Sequence, residues 1–243
     1  MKKPAFAMTA LLLASSVVAL TPDEILTAMD KNRDYGTVSY TGTMEIHVGD
    51  EVRSKSMKVQ GIGEQKALVE FINPQDKGTR YLKLAKELWI YFPSEQDVVK
   101  ISGHMLKEGM MGSDVSYEDA LESDALHKKY AAAITDEEAL DSHACYVITL
   151  DAIVKDVPYY KRKMWVDKAL FIQWKEEMYA KSGTLLKVSR VLEMKKIGAR
   201  NFPVKMEIVN MLRKDTKTVF TMSDVVFDAP MKADMFTLQN LQR

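Results

Sequence analysis

Hydrophobic and polar residues alternate along most of the chain, with the two-residue period of half-buried β-strands. The segment "TVSYTGTMEIHV" at 37–48 is typical, and the turn "GD" at 49–50 leads directly into another such segment. About a dozen strands can be traced in this way, separated by turns such as "KSG" and "KDTK" at a spacing of roughly 10–14 residues. The pattern predicts a meandering antiparallel sheet.

Two segments depart from this alternation. At the first, Thr21 is a predicted N-cap, Pro22 suits the first helical position, and Glu24 completes a capping box. The spacing therefore predicts an amphipathic helix of about 12 residues. Its apolar stripe consists of Ile25, Leu26 and Met29.

The second departure is the glycine-rich segment "GHMLKEGMMGSDVSYEDAL" at 103–121, in which Ser116 and Asp119 predict the start of a short helix. Its apolar side chains are Met105, Leu106, Met110 and Met111. One interpretation is that these residues are ordinary core filler. The other is a movable gate, since methionine adapts to varied apolar ligands and the flanking glycines permit movement.

A sheet of about a dozen strands must protect its unpaired edge strands and bury one of its faces. A strongly curved sheet or an incomplete barrel achieves this if other elements cover its mouth. The first helix and the 103–123 segment are the elements available for that purpose. We therefore predict a mostly β (α+β) fold, with residues 20–243 forming one domain.

Residues 1–19 have the features of an export signal. Lys2 and Lys3 form a basic start, an apolar stretch follows, and Val17 and Ala19 occupy the positions before a cleavage site. Retention as an uncleaved anchor is the alternative. No cysteine near this site would accept a lipid, so we expect an exported, periplasmic protein without a lipid anchor.

Charge and cysteine content narrow the classes of function. Without Lys2 and Lys3 the chain has 32 basic against 34 acidic residues, which argues against a nucleic-acid partner. Cys145 is the only cysteine, so no internal disulfide can form. We expect Cys145 to be a small buried residue on a strand.

No motif for catalysis or for metal binding is present in the sequence. The histidines His47, His104, His127 and His143 have no zinc-ligand spacing. Nucleophile-elbow, Walker and dinucleotide-binding signatures are absent as well. We expect no metal, no cofactor and no enzymatic activity; a lipid hydrolase using His104 or Ser113 is the alternative.

Two segments suggest an apolar inner surface. "ELWIYF" at 87–92 is apolar on both faces, which is unusual for a strand with water on one side. In "FIQWKEEMY", period-two alternation places Trp174 and Met178 on one face with Glu176. If "KSG" forms a three-residue loop, Arg190 shares that face, and we predict a Glu176–Arg190 pair. This pair is either a polar element within the apolar lining or an ion pair near the mouth that is wetted by solvent.

Several stretches together resemble the LolA-like outer-membrane lipoprotein-sorting proteins. They are "FINPQDKGTRYLKLAKELWIYFPSEQDVVKIS", "MGSDVSYEDAL", "WVDKALFIQWKEEMYAKSGTLLK" and "SDVVFDAP" followed by "MFTLQNL". The resemblance runs from about residue 22 to the end of the chain. It implies a strongly curved, half-open antiparallel β-barrel with helices covering its mouth.

The resemblance also implies a periplasmic carrier that binds acyl chains of lipoproteins, or other lipids, in the apolar concavity. Its expected partners are an inner-membrane transporter and an outer-membrane acceptor, and we expect a monomer. A non-shuttling accessory module of an export complex is the alternative. The candidate lipid-binding side chains are Met44, Ile46, Phe71, Leu88, Trp89, Ile90, Tyr91, Met105, Leu106, Met110, Met111, Trp174 and Met178.

Overall fold

A computed structural model describes residues 20–122 and 125–242, so the predicted signal at 1–19 lies outside the described residues. Within them the chain forms one 13-stranded antiparallel sheet, in the order β6-β5-β4-β3-β2-β1-β13-β12-β11-β10-β9-β8-β7. The strands are β1 Thr37–Val48, β2 Glu51–Ile62, β3 Lys66–Phe71, β4 Arg80–Leu84, β5 Glu87–Phe92, β6 Asp97–Ile101, β7 Tyr130–Leu140, β8 His143–Ala152, β9 Lys161–Asp167, β10 Gln173–Tyr179, β11 Leu185–Ile197, β12 Arg200–Asn210 and β13 Thr216–Phe227.

The sheet is not closed, since β6 and β7 are its two edges. Apart from β6 and β7, strands that follow one another in the chain pair with each other, and β1 pairs with β13, with Val48 opposite Thr216. The meander predicted from the alternating pattern is therefore confirmed. So is the mostly β fold of a curved, half-open barrel.

Short helices lie at the ends and in the middle of the chain. The helix α1 spans Pro22–Arg33, and the predicted capping box is present: Glu24 N donates to Thr21 Oγ1 at 3.3 Å and Thr21 N donates to Glu24 Oε2 at 2.8 Å. The helices α2, Tyr117–Leu121, and α3, Leu238–Leu241, are each shorter than two turns. Turns of 3₁₀ helix occupy Gly103–Lys107, Met110–Gly112, Leu126–Lys128 and Ala233–Met235. No helix of the described ranges is long and apolar enough to cross a membrane.

Two apolar clusters line the inner face of the sheet. The first belongs to β1–β6, where Met44, Ile46 and Phe71 are fully buried. It is covered by residues 102–122, which connect β6 to the second half of the chain and are called the cover segment below. The second cluster belongs to β7–β9, and Ile25 and Leu26 of α1 pack into it.

A third apolar cluster lies on the opposite face of β4 and β5. Leu82 and Leu241 are fully buried there and Phe236 nearly so, and Trp89 and Tyr91 pack against them. The chain after β13 therefore covers the outer face of these strands. This explains why "ELWIYF" is apolar on both faces: the inner face meets the cover segment and the outer face meets the C-terminus.

Candidate functional site

The inner wall of β1–β6 and the cover segment form one continuous apolar contact. The predicted residues Met44, Ile46, Phe71, Leu88 and Ile90 belong to the wall cluster. The cover-segment side chains packed against it include all four predicted ones, Met105, Leu106, Met110 and Met111. The sequence therefore identified both sides of this contact.

A tight bend presents the two central methionines to the wall. A Cβ on Gly109 would lie 2.0 Å from the carbonyl oxygen of Ser113, so only glycine fits there. Gly109 and Ser116 form an isolated bridge, and Met111 has a φ of 54°. The glycines of this segment thus shape a compact turn around Met110 and Met111.

Trp89 and Tyr91 do not face this wall. Residue pairs directly opposite each other in adjacent strands share a face. Trp89 lies opposite Leu82, whereas Ile90 lies opposite Tyr81 of the inner cluster. The prediction that Trp89 and Tyr91 line the concavity is therefore wrong, because both are in the outer cluster covered by the C-terminus.

Trp174 also lies on the outer face. The pairing of β10 with β9 shifts between Gln173 and Lys175, and the extra residue reverses the alternation that was used to predict its side. Trp174 stacks on His143 at 4.0 Å and donates its indole N–H to Asp167 Oδ2 at 2.9 Å. Met178, beyond the shift, is buried on the inner face as predicted.

The predicted Glu176–Arg190 pair is wrong. Glu176 lies opposite Ser189, and Arg190 lies opposite Lys175 and is exposed. The three-residue loop "KSG" is present, since Ala180 N donates to the carbonyl of Thr184 and Tyr179 lies opposite Leu185. The pairing then shifts between Tyr179 and Met178, where β11 has one extra residue, and this shift moves Arg190 to the other face. Glu176 pairs instead with a residue of β9.

That residue is Arg162, which is 5% exposed and was not identified from the sequence. Its Nη1 donates to Glu176 Oε1 at 3.0 Å, and its Nη2 lies 2.6 and 2.5 Å from the two carboxylate oxygens of Glu122 in the cover segment. Its guanidinium also lies over the rings of Tyr130 and Tyr159, 5.3 and 5.1 Å from their centroids. Burial alone would lower the pKa of Arg162, but the two carboxylates raise it well above its ordinary value, so the charge is permanent.

A second buried cation, Lys187 on β11, holds α2. Its ammonium donates to Asp119 Oδ2 and, at 3.1 Å, to Ser116 Oγ. The hydroxyl of Tyr159 donates to the other oxygen of Asp119 at 2.5 Å. Burial, followed by the charge of Asp119, raises the pKa of Tyr159, so Tyr159 remains a neutral donor.

The cover segment has a third carboxylate contact, at Asp114, which is 1% exposed. Asp114 accepts from the hydroxyls of Thr216 and Thr218, both at 2.7 Å, and from the backbone N–H of Asn210 at 3.3 Å. The segment therefore has two chemically different sides. Its methionines and leucines contact β1–β6, and its carboxylates contact β9–β13.

Three cavities surround α2. The largest, about 590 Å³, lies beside Leu106, Leu121 and Tyr160. One of about 180 Å³ contains Arg162, Glu176 and Glu122, and one of about 290 Å³ contains Lys187, Asp114 and Arg213. The cover segment occupies the space in front of the apolar wall, so the concavity is closed in this arrangement.

The candidate residues for hydrolysis and metal binding lie apart from one another in the described part of the chain. Within 20–122 and 125–242, no three His, Cys, Asp or Glu side chains are grouped to hold a metal ion. Ser113 is 1% exposed and its hydroxyl bonds to the backbone of Val115, while His104 is exposed. Cys145 is fully buried on β8, as predicted, and burial raises the pKa of its thiol.

The missed residues did leave a signal in the sequence. Arg162 alternates with Met164 and Val166 in "KRKMWVD", and this spacing places a cation on the buried face of the strand. The carboxylates lie together in "SDVSYEDALE". A charged residue in an apolar row requires a partner of opposite charge, and this acidic stretch supplies it.

Comparisons with known proteins agree with this architecture. The model of a family of uncharacterized proteins matches residues 63–243. No curated protein matches the sequence. Among solved structures, a DUF1329 family protein from Desulfovibrio piger superposes with a TM-score of 0.84 at 24% identity, covering 90% of this chain and 96% of that one.

Two further structures share the fold. A putative outer membrane lipoprotein-sorting protein domain from Vibrio parahaemolyticus has a TM-score of 0.80 at 24% identity, over 90% of this chain and 97% of its own. A LolA superfamily protein, NE2245 from Nitrosomonas europaea, has a TM-score of 0.75 at 23% identity, over 91% and 99%. At these identities the similarity establishes the LolA-like fold.

Proposed function

Because this chain belongs to that family of uncharacterized proteins and has the LolA-like fold, we propose that it is a periplasmic carrier of lipids. It binds acyl chains of lipoproteins, or other lipids, in the concavity and transfers them to the outer membrane. The observation that supports this most directly is the apolar inner wall of β1–β6, covered by the methionines and leucines of one connecting segment.

The energetics require a large apolar surface. Burying one CH₂ group is worth ~0.8 kcal/mol, so a long acyl chain in a membrane represents on the order of 12 kcal/mol. A carrier must offer a comparable environment, or the lipid stays in its membrane. The wall now contacted by Met105, Leu106, Met110 and Met111 is the surface that an acyl chain would occupy after the cover segment moves.

The two sides of the cover segment suit such a movement. Its three methionines are flexible and unbranched, so they pack against the wall without a single rigid fit. Its position is fixed instead by ion pairs from Glu122 to Arg162 and from Asp119 to Lys187. Water can replace these polar contacts once the segment moves outward.

The carrier role requires export and two partners. The apolar stretch at 1–19 is the proposed export signal. An inner-membrane transporter is the proposed donor and an outer-membrane protein the proposed acceptor, with the carrier acting as a monomer. The fold is the one found in a putative lipoprotein-sorting domain.

The test is mass spectrometry of the lipids extracted from the exported protein purified without detergent. We expect lipid or acylated peptide at a stoichiometric amount. The double variant Met110→Asp, Met111→Asp places charges against the wall and should abolish loading while circular dichroism remains unchanged. Its matched control is Met211→Asp, Leu212→Asp, on the exposed turn between β12 and β13, which should load normally.

Two results would contradict the proposal. One is a wild-type protein that is empty as purified and stays empty after incubation with membranes. That result would favour an accessory module of an export complex. The other is unchanged loading in the Met110 and Met111 variant, which would show that lipid binds elsewhere.

A further inference from the structure

The polar side of the closed site indicates what kind of lipid it accepts. Arg162, Met178 and Lys187 lie side by side on β9, β10 and β11, since Met178 is opposite Arg162 on one side and opposite Lys187 on the other. The Cα atoms of Arg162 and Lys187 are therefore about 10 Å apart across the sheet, which is two strand spacings. Both side chains point to the inner face, where Lys187 contacts Asp119 of α2 and Arg162 contacts Glu122, the residue that follows α2.

The cover segment supplies most of the negative charge at this site. In the closed state Arg162 and Lys187 face three carboxylates, Glu176, Glu122 and Asp119. When the cover segment moves away, Glu122 and Asp119 leave with it, and Glu176 stays on the sheet beside Arg162. Of these five charged groups, β9–β11 then keep two cations and one anion.

A purely apolar ligand that replaced the cover segment would leave this excess positive charge buried and without a partner. A buried charge without a partner is strongly unfavourable, and removing one member of a buried pair typically costs about 3–5 kcal/mol. Lys187 is affected most, because both of its polar partners, Asp119 and Ser116, belong to the cover segment. A ligand that fills the concavity must therefore bring its own negative charge or leave this corner wet.

We propose that the concavity selects lipids with a net-anionic headgroup, and that Asp119 and Glu122 occupy the headgroup's place when the site is empty. This inference rests on the proposed carrier function. Opening frees three donors around the position of α2: the ammonium of Lys187, the hydroxyl of Tyr159 and the Nη2 of Arg162. A phosphate with no balancing cation in its headgroup matches them.

The geometry of the closed site supports this assignment. Arg162 Nη2 donates to the carboxylate of Glu122, and guanidinium groups form charge-assisted hydrogen bonds with phosphate as they do with carboxylate. Asp119 bridges Lys187 and Tyr159 with its two oxygens, as two phosphate oxygens would. The ring centroid of Tyr159 is 5.1 Å from the Arg162 guanidinium and 5.8 Å from the Lys187 ammonium. The two cations therefore lie around the same aromatic ring, close enough to contact one headgroup.

The experiment measures headgroup preference, not total uptake. The full-length exported protein is incubated with vesicles of phosphatidylcholine mixed with phosphatidylglycerol of the same acyl chains. After reisolation, the ratio of the two bound lipids is compared with their ratio in the vesicles. Wild-type protein should be enriched in phosphatidylglycerol, and Lys187→Met should reduce that enrichment by about tenfold, the loss of one charged hydrogen bond.

Three further variants separate recognition from structure. Lys187→Arg keeps the charge and should keep the enrichment. Tyr159→Phe removes only a hydroxyl and should reduce the enrichment less than Lys187→Met does. Lys195→Met removes an exposed lysine on β11 whose neighbour is Glu193, and it should leave the ratio unchanged.

The outcomes distinguish this inference from the function on which it rests. Bound lipid without enrichment in wild type, or enrichment that survives in Lys187→Met, would overturn the headgroup assignment and leave the carrier intact. If the wild-type protein binds neither of the two lipids, the carrier proposal itself would be overturned. If Lys187→Met fails to fold, the Tyr159→Phe and Lys187→Arg ratios decide the question.

Discussion

Glu122 and Arg162 are joined by a forked ion pair in which one nitrogen, Nη2, lies within 2.6 Å of both carboxylate oxygens. Glu122 belongs to the cover segment and Arg162 to β9 of the sheet. The pair is partly shielded from water, since the Arg162 side chain is 6% exposed and that of Glu122 is 20% exposed. It therefore connects the cover segment to the sheet in a place where charges interact strongly.

Replacing Glu122 with Gln should loosen the cover segment. Loss of a hydrogen bond to a charged group costs about 1.5–3 kcal/mol. We expect faster amide hydrogen exchange in residues 102–122 with little change in β1–β3, measured by mass spectrometry. Glu193→Gln removes an exposed pair with Lys195 and is the control. Equal exchange in the two variants would show that the Glu122 contact does not hold the segment.

Gly109→Ala should disrupt the bend that presents Met110 and Met111. The new Cβ would lie 2.0 Å from the Ser113 carbonyl oxygen, so the backbone of the turn must move. We expect limited proteolysis to cut within residues 102–122 sooner than in wild type, while the sheet keeps its circular dichroism. Gly36→Ala meets its nearest neighbour, Asp228, at an ordinary 3.5 Å and should be cut like wild type. Equal cutting of both would contradict the structure of the bend.

Leu241→Ala should reduce stability without affecting the concavity. Leu241 is fully buried against the outer face of β4 and β5, and truncation of a buried leucine costs about 2–5 kcal/mol. Urea denaturation should show this loss, whereas Leu238→Ala, at a position 38% exposed, should cost much less. Lipid loading at a temperature where both variants are folded should match wild type. Loss of loading in Leu241→Ala would mean that the outer cluster shapes the binding wall.

Asp167 should make stability dependent on pH in the acid range. Burial alone would raise the pKa of Asp167, but hydrogen bonds from the Trp174 indole and from the N–H groups of Leu170 and Ala169 lower it overall. The unfolded chain then binds the proton more readily than the folded protein does. The stabilisation is complete above the unfolded pKa of about 4 and is lost as pH falls through the lower, folded value.

The measurement is urea denaturation at a series of pH values below about 5. Asp167→Asn should be less stable than wild type at neutral pH, and the difference should shrink as the solution becomes more acidic. Asp50→Asn, on the exposed turn after β1, should show no such convergence. A constant difference between Asp167→Asn and wild type at all pH values would contradict the lowered pKa.

The alternating pattern predicted the sheet and the apolar wall because both depend on local periodicity. It failed where the period was broken. The shift between Gln173 and Lys175 moved Trp174 to the outer face, and a second shift between Met178 and Tyr179 placed Arg190 on the face opposite to Glu176. Such shifts are set by contacts between strands, which one strand's sequence does not contain.

The polar half of the site was missed for a different reason. Arg162 and Glu122 are 40 residues apart in the chain, and nothing local pairs them. Trp89 and Tyr91 were assigned to the concavity because the C-terminal segment that covers them is distant in sequence. In each of these cases the residue contacts a partner that is close in the folded structure but distant in the sequence.

The cover segment joins the two open edges of the sheet, since it follows β6 and the chain then continues into β7. Because it is attached at both ends, its concentration next to the wall does not change when the protein is diluted. Under the proposed function, every bound lipid competes with the cover segment for the wall. The apparent affinity for lipid is then the intrinsic affinity of the open protein multiplied by the fraction of molecules that are open. Under the same proposal, substitutions at the two ends of the segment would change lipid retention without altering any residue that contacts lipid.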